Sequence, residues 1–176
     1  MVCAATAFTS RLIERFDDWS HYANVLWDGT ILDAREDWTK AKEGWDCGNG
    51  VLVGPDGKVP PGVRLRPAGY LNDVSRWLLL ELPTSSVEQY KTWEQAGRSQ
   101  LGKPYDKLGI IDFVTGQSDK RNWRDQSAWF CDELGAWMGE QAKYWRELPD
   151  AVWKQTPGAV LDLAWGAGAK ILDAKR

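Results

Sequence analysis

The sequence is poor in residues that bind transition metals: its 176 residues include one histidine and three cysteines. Zinc sites in proteins are built from three or four clustered Cys, His or carboxylate ligands. With a single histidine and no cluster of cysteines, we expect neither a metal nor a cofactor. An odd number of cysteines also argues against a disulfide framework, and it favours a reducing compartment.

Long apolar runs and an excess of basic charge are also missing. No stretch approaches the roughly 18 apolar residues that a membrane-spanning helix needs, so we expect no membrane span. The net charge of -3 gives no basic footprint for a nucleic-acid partner. The N-terminal stretch MVCAATAFTS lacks a basic lead and is not predicted to be a secretory signal, which favours a cytoplasmic location or a protein delivered by other means.

Tryptophan, in contrast, is abundant, with twelve residues spread over the chain at no fixed period. The spacing therefore indicates no repeat architecture. We expect most of the indoles to pack in the core of one domain that covers residues 1–176. The alternative is that exposed tryptophans wall a groove or bind a protein partner.

Strand patterns dominate the first half of the sequence. HYANVL and TILDA, separated by the turn signal WDG, predict a β-hairpin that carries His21. GVRLRPAGYL and RWLLLELP predict further strands, and the nearly continuous apolar run in the second is typical of a strand buried on both faces. Residues 35–62 are rich in glycine and proline and are expected to form loops around the short apolar run VLV.

Helical patterns dominate the second half, so the predicted fold class is α+β. TSSVEQYKTWEQAGRSQLGKPYD predicts a helix with a capping box at Ser85 and Glu88 and a stop at Gly102. A second helix is predicted to follow Cys131, because apolar residues recur there at helical spacing. SRLIERF predicts a short helix near the N-terminus, and the tail from residue 156 predicts a frayed helix.

Cys131 is the residue with the clearest chemical potential. A thiolate is the attacking form of cysteine, and both a helix N-terminus and a neighbouring imidazolium lower the thiol pKa. His21 is the only histidine that could supply the imidazolium. Asp132 and Glu133 would oppose thiolate formation unless they point outward. By residue type alone, a cysteine beside two aromatic residues is more often a buried structural thiol.

Three motifs occur in a particular order: SHYANVLWDGTILDA, then GKPYD, then WFCDELGAW. This series resembles the circularly permuted papain-like cysteine hydrolases, relatives of the NlpC-type cell-wall peptidases and of the lecithin–retinol acyltransferases. In permuted members, as here, the histidine strand precedes the cysteine helix. The resemblance covers about residues 10–160, with Asp132 where serine is usual. It implies an antiparallel sheet or small barrel with the catalytic-cysteine helix packed against it.

The resemblance also implies roles for individual residues. Cys131 would be the nucleophile and His21 the general base. A polar residue twelve positions after the histidine orients the imidazole in the family, and here that residue is Asp33. Tyr105 matches a tyrosine that helps to form the oxyanion hole.

The implied reaction is hydrolysis of an amide bond through a thioester, with a peptide or a peptidoglycan stem peptide as the substrate. A phage virion, or another delivery route, would carry such an enzyme to the cell wall. One alternative is an acyltransferase or thioesterase that acts on lipid-like esters. The other is a non-catalytic structural or binding component of a larger particle.

The hairpin turn decides which carboxylate can reach His21. With a two-residue loop, His21 would lie opposite Glu36, and Asp33 would be on the other face of the sheet. With a three-residue loop and Gly29 left-handed in a bulge, Asp33 shares the face of His21 on the diagonal. We predict the three-residue loop and Asp33 as the orienting residue. Glu36 is the fallback, and a water-facing Asp33 is the structural alternative.

Overall fold

The computed structural model describes residues 2–4, 21–36, 39–40, 54–67, 76–83, 86–107, 126–145 and 157–175. In this part of the chain the fold is α+β, as predicted. The strands are β1 Val2–Ala4, β2 His21–Tyr22, β3 Asn24–Val25, β4 Ile31–Arg35, β5 Thr39–Lys40, β6 Lys58–Val59, β7 Gly62–Arg66, β8 Arg76–Glu81 and β9 Lys170–Lys175. The helices are α1 Val87–Ser99, α2 Cys131–Gln141 and α3 Pro157–Gly166. The predicted SRLIERF helix and VLV run lie outside the described residues.

Three antiparallel sheets are formed by the described strands. The first has the order β2-β1-β8-β9, the second β3-β4-β7, and the third pairs β5 with β6. Because β2 pairs with β1 whereas β3 pairs with β4, the chain changes sheets at Ala23. The strand that carries His21 therefore lies at the junction of the first two sheets. Of the described helices, none combines the length and apolar character needed to cross a bilayer.

The turn between β3 and β4 is the predicted three-residue loop, residues 27–29. The Leu26 N–H donates to the Thr30 carbonyl at 2.9 Å, and the Gly29 N–H donates to the Leu26 carbonyl at 3.0 Å. Gly29 has a φ of 79°, in the left-handed region that favours glycine. The resulting register pairs Asn24 with Leu32 and Val25 with Ile31. The predicted loop and its bulge glycine are confirmed.

The predicted boundary of α1 is wrong by one residue at its start. Ser86, and not Ser85, is the N-cap, and its hydroxyl accepts a hydrogen bond from the Gln89 N–H at 3.1 Å. With the N-cap at Ser86, the third residue of the helix is Gln89 and not the predicted Glu88. The helix ends at Ser99, and Gly102 follows with a φ of 91°, so the predicted stop signal lies just beyond the helix.

The helix after Cys131 is confirmed, and every residue from Cys131 to Gly139 is buried. Its apolar side chains meet α1, β4 and β7 in the main core. That core includes Leu32, Ala34, Val63, Leu65, Trp93, Trp129, Leu134, Trp137 and Met138. Core packing of tryptophan is thus confirmed for three indoles, whereas Trp27 is 85% exposed and Trp165 is 39% exposed.

The burial predicted for RWLLLELP is wrong. Residues 77–80 of β8 are only half-buried, because antiparallel sheets, unlike parallel ones, do not need cover on both faces. The prediction for the C-terminal tail is also incomplete. The helix ends at Gly166, Gly168 turns the chain with a φ of 91°, and β9 then pairs with β8.

Close packing of α2 on β2 depends on Gly135. A Cβ atom added there would overlap the ring of Tyr22. A helical residue without a side chain therefore lets the helix approach the strand beside His21. This approach places Cys131 against β2.

We expect Gly135→Ala to destabilise the protein by about 1–3 kcal/mol, because the added methyl group overpacks a buried contact. Urea unfolding followed by circular dichroism measures this change. Gly166→Ala is the matched control, since its Cβ would meet nothing within 4 Å and alanine favours a helix. Equal stability of the two variants would contradict the close-packing argument.

Candidate active site

His21 and Asp33 are joined by a buried hydrogen bond. The imidazole Nε2 lies 3.0 Å from Oδ2 of Asp33, and both residues are buried. His21 pairs with Cys3 of β1 and Asp33 pairs with Arg64 of β7, so the hydrogen bond joins residues of two different sheets. The structure thus brings together the predicted histidine and its predicted orienting residue. Glu36, the fallback, does not take that position.

Sequence reasoning missed a further member of this group, Arg66. Its Nε donates to Oδ1 of Asp33 at 2.6 Å, and both side chains are fully buried. Burial alone would raise the pKa of Asp33, but the Arg66 charge, the His21 hydrogen bond and Arg35 together hold that pKa well below its usual range. The signal available in the sequence was the alternation of two arginines with Val63 and Leu65 in the strand VRLRP.

Burial lowers the pKa of His21, and this effect exceeds the raising effect of Asp33. Arg35 and Arg66 lower it further. The imidazole is therefore neutral at pH 7. Because ionised Asp33 can only accept a hydrogen bond, Nε2 carries the proton and Nδ1 keeps its lone pair. A neutral imidazole with a free lone pair on Nδ1 is the form that acts as a general base.

Cys131 is the first residue of α2, and it contacts the strand that carries His21. A backbone hydrogen bond from Tyr22, the residue after His21, reaches the sulfur and favours the thiolate. Tyr22, Phe130, Cys131 and Val160 form one buried cluster. The structure therefore places Cys131 against the strand that carries His21, although 110 residues separate the two in sequence.

The thiol of Cys131 is nevertheless in its neutral form. It is 2% exposed, and it donates to Oδ1 of Asp132 at 3.2 Å. Burial, and then the charge of Asp132, raise the pKa of Cys131 well above its ordinary value. The hydrogen of the thiol is directed to Asp132, so the resting site is not a thiolate–imidazolium pair.

The condition under which Cys131 was expected to form a thiolate is not met. Asp132 and Glu133 do not point outward but are 1% and 3% exposed. Glu133 instead turns back to accept a hydrogen bond from the Phe130 N–H at 3.5 Å. The helix dipole is worth at most about 2 kcal/mol, which does not offset burial together with an adjacent carboxylate. The pKa of the thiol is raised and not lowered.

Tyr105 lies at the same site because GKPYD bridges two elements. The Lys103 carbonyl accepts a hydrogen bond from the Val63 N–H at 2.9 Å, and the Pro104 carbonyl accepts one from the Trp129 N–H at 3.1 Å. The half-buried Tyr105 ring packs against the cluster that contains Cys131. Burial, followed by the charges of Cys131 and Asp132, raises the pKa of Tyr105, so its hydroxyl keeps its proton and can donate.

A cavity of about 320 Å³ opens beside Tyr22 and Ala23, where the chain changes sheets. Its walls are mostly apolar, and they include Leu79, Leu80, Tyr90, Trp93, Leu161 and Leu172. His21 and Cys131 do not line it. Among the residues that the structure describes, no group of three or more His, Cys, Asp or Glu is arranged to hold a metal ion.

His21 is the only histidine in the sequence, so its contribution to the pH dependence of the unfolding free energy can be measured. Because the folded-state pKa of His21 is lowered, the unfolded chain binds a proton near pH 6.5 that the folded chain does not. Stability is therefore expected to be highest above about pH 6.5 and to fall as the pH drops, by up to about 1.4 kcal/mol at pH 5.5. Urea midpoints between pH 8 and 5.5 measure this loss. His21→Gln should flatten the profile, and an unchanged slope would contradict the assignment.

Asp132→Asn is expected to increase the reactivity of Cys131, because it removes a charge that opposes the thiolate. Each unit by which the thiol pKa falls gives about tenfold more thiolate at pH 7. The rate of alkylation by iodoacetamide, followed at the peptide level by mass spectrometry, reports this change. Glu140→Gln, near the other end of α2, is the control. Equal rates in Asp132→Asn and wild type would show that the carboxylate does not hold the thiol proton.

Comparison with known proteins assigns no family to the chain. No family model matches it, and no curated protein matches its sequence. The resemblance to permuted papain-like hydrolases therefore stays a hypothesis carried by the three motifs.

Proposed function

We propose that the protein is a cysteine hydrolase of the permuted papain-like type, which cleaves an amide bond through a thioester on Cys131. The supporting observation is the packing of the α2 start against β2, whose imidazole is held by Asp33. This arrangement leaves Nδ1 of a neutral His21 as a base on the strand that contacts the thiol. The order of the motifs in the chain agrees with the same proposal.

In the proposed reaction, His21 acts as the general base and then as the general acid. The thiol proton passes to Nδ1 while Sγ attacks the carbonyl carbon, and the C=O electron pair moves to oxygen. When that pair returns, the C–N bond breaks and the imidazolium gives its proton to the amine. Water then loses a proton to Nδ1 and attacks the thioester, and Cys131 leaves with the proton from His21.

The resting protonation states determine how this reaction begins. Both Cys131 and His21 are neutral at rest. The thiol hydrogen must therefore turn away from Asp132 and pass to the imidazole when the substrate carbonyl arrives. The Tyr105 hydroxyl and the backbone N–H groups at the start of α2 are the donors available to the oxyanion. On this proposal Asp132 keeps the thiol protonated until the substrate binds.

Two sources of substrate fit the proposed chemistry. A peptide, or a peptidoglycan stem peptide reached by delivery from a virion, is the first choice because of the NlpC-type motifs. The apolar cavity beside Tyr22 favours the second, a lipid-like ester processed by an acyltransferase or thioesterase.

The burial of Cys131 and the exposure of Trp27 favour a different function, that of a non-catalytic component that binds a protein partner.

The proposal predicts that Cys131→Ser and His21→Ala each lower the rate of hydrolysis by roughly 10⁴-fold or more. The assay compares stem-peptide amides with acyl esters and thioesters, and rapid quenching followed by mass spectrometry identifies acylated Cys131. Cys131→Ser is nearly isosteric, so circular dichroism should show an intact fold.

Each outcome separates the candidate functions. Acylation by an amide substrate supports the peptidase, and acylation by esters alone supports the acyltransferase. The absence of acylation across the panel, together with loss of folding in Cys131→Ser, would contradict catalysis and indicate a structural thiol.

A further inference from the structure

Arg66 and His21 bind different oxygens of the Asp33 carboxylate. Arg66 binds Oδ1 through its Nε, and His21 binds Oδ2 through its Nε2. We propose that Arg66 is a positioning residue that decides, through the side chain at position 33, which nitrogen of His21 carries the proton. The effect of Arg66 on catalysis rests on the proposed function, but its effect on the position of the His21 proton does not.

A contribution to stability does not by itself explain the ion pair between Asp33 and Arg66. The terminal nitrogens of Arg66 are buried and have no hydrogen-bond partner among the residues that the structure describes, and the Arg66 side chain is fully inaccessible. A buried charge with unsatisfied donors is costly, and apolar residues often replace buried ion pairs without loss of stability. What the pair does provide is orientation, because one donor fixed on Oδ1 leaves Oδ2 to face the imidazole.

Replacing Asp33 with asparagine makes the orienting effect of Arg66 measurable, because the two sides of an amide differ. In Asp33→Asn, Arg66 can only donate, so it takes the amide oxygen and turns the amide NH₂ towards Nε2 of His21. The imidazole must then accept at Nε2 and move its own proton to Nδ1. An amide freed from Arg66 can turn over, present its oxygen and return the proton to Nε2.

Arg64 supplies a matched control on the same strand. It is the register partner of Asp33 in β7, but its guanidinium donates to the Val63 carbonyl at 2.7 Å. Among the described residues, Arg35 on β4 also acts on both His21 and Asp33, Cys131 on α2 is affected by the Asp33 charge, and Asp132 acts on Cys131. Arg35, Cys131 and Asp132 stay constant in the variants compared.

The experiment is ¹⁵N NMR of the full chain at pH 7.5, where the single histidine gives one pair of ring nitrogens. We expect the Nε2–H form in the wild type and the Nδ1–H form in Asp33→Asn. The double variant Asp33→Asn with Arg66→Met should return to Nε2–H, and Asp33→Asn with Arg64→Met should remain Nδ1–H. In any hydrolysis assay, the Arg66 double variant should regain at least about tenfold over Asp33→Asn, by the tautomer argument.

Retention of Nε2–H in Asp33→Asn, or the same tautomer in Asp33→Asn with and without Arg66, would overturn the proposal. If Asp33→Asn does not fold, the single variant Arg66→Met provides the test of the proposal. Without its counter-charge the buried Asp33 is expected to hold a proton and donate it to Nε2, which gives Nδ1–H. Nε2–H in folded Arg66→Met would overturn the proposal. These readouts need no substrate, so failure to find hydrolysis leaves the test intact.

Discussion

The structure around the candidate site depends on one buried negative charge, the carboxylate of Asp33. Its two oxygens connect β4 to β7 through Arg66 and to β2 through His21. Because β2 belongs to a different sheet, these two bonds hold the sheets together at the point where the chain changes from one to the other. Removing one partner of a buried pair typically costs about 3–5 kcal/mol, so all three side chains are constrained together.

Burial acts in opposite directions on the two groups proposed to react. It disfavours the charged form of each, so it raises the pKa of the Cys131 thiol and lowers that of the His21 imidazole. Both groups are consequently neutral at pH 7. A site of this kind differs from one with a preformed thiolate, because the proton has to move during the reaction and not before it. Asp132 strengthens this state, since it accepts the thiol hydrogen.

The surroundings of the site combine polar and apolar features. Tyr105 offers a protonated hydroxyl on one side of Cys131, and the apolar cavity opens beside Tyr22 on the adjoining strand. Gly135 allows α2 to pack closely enough on β2 for these features to meet. The close helix–strand contact, rather than a long loop, therefore sets the position of the sulfur.

The sequence by itself determined the local geometry. WDG indicated a tight turn between β3 and β4, and the apolar spacing after Cys131 indicated α2, because such preferences act within a few residues. A loop of two residues was equally compatible with that signal. Only the tertiary structure decided that Arg66 binds Asp33, that Asp132 and Glu133 are buried, and that β9 covers the edge of β8. Burial and pKa depend on which distant segments pack together, and the residues near Cys131 do not contain that information.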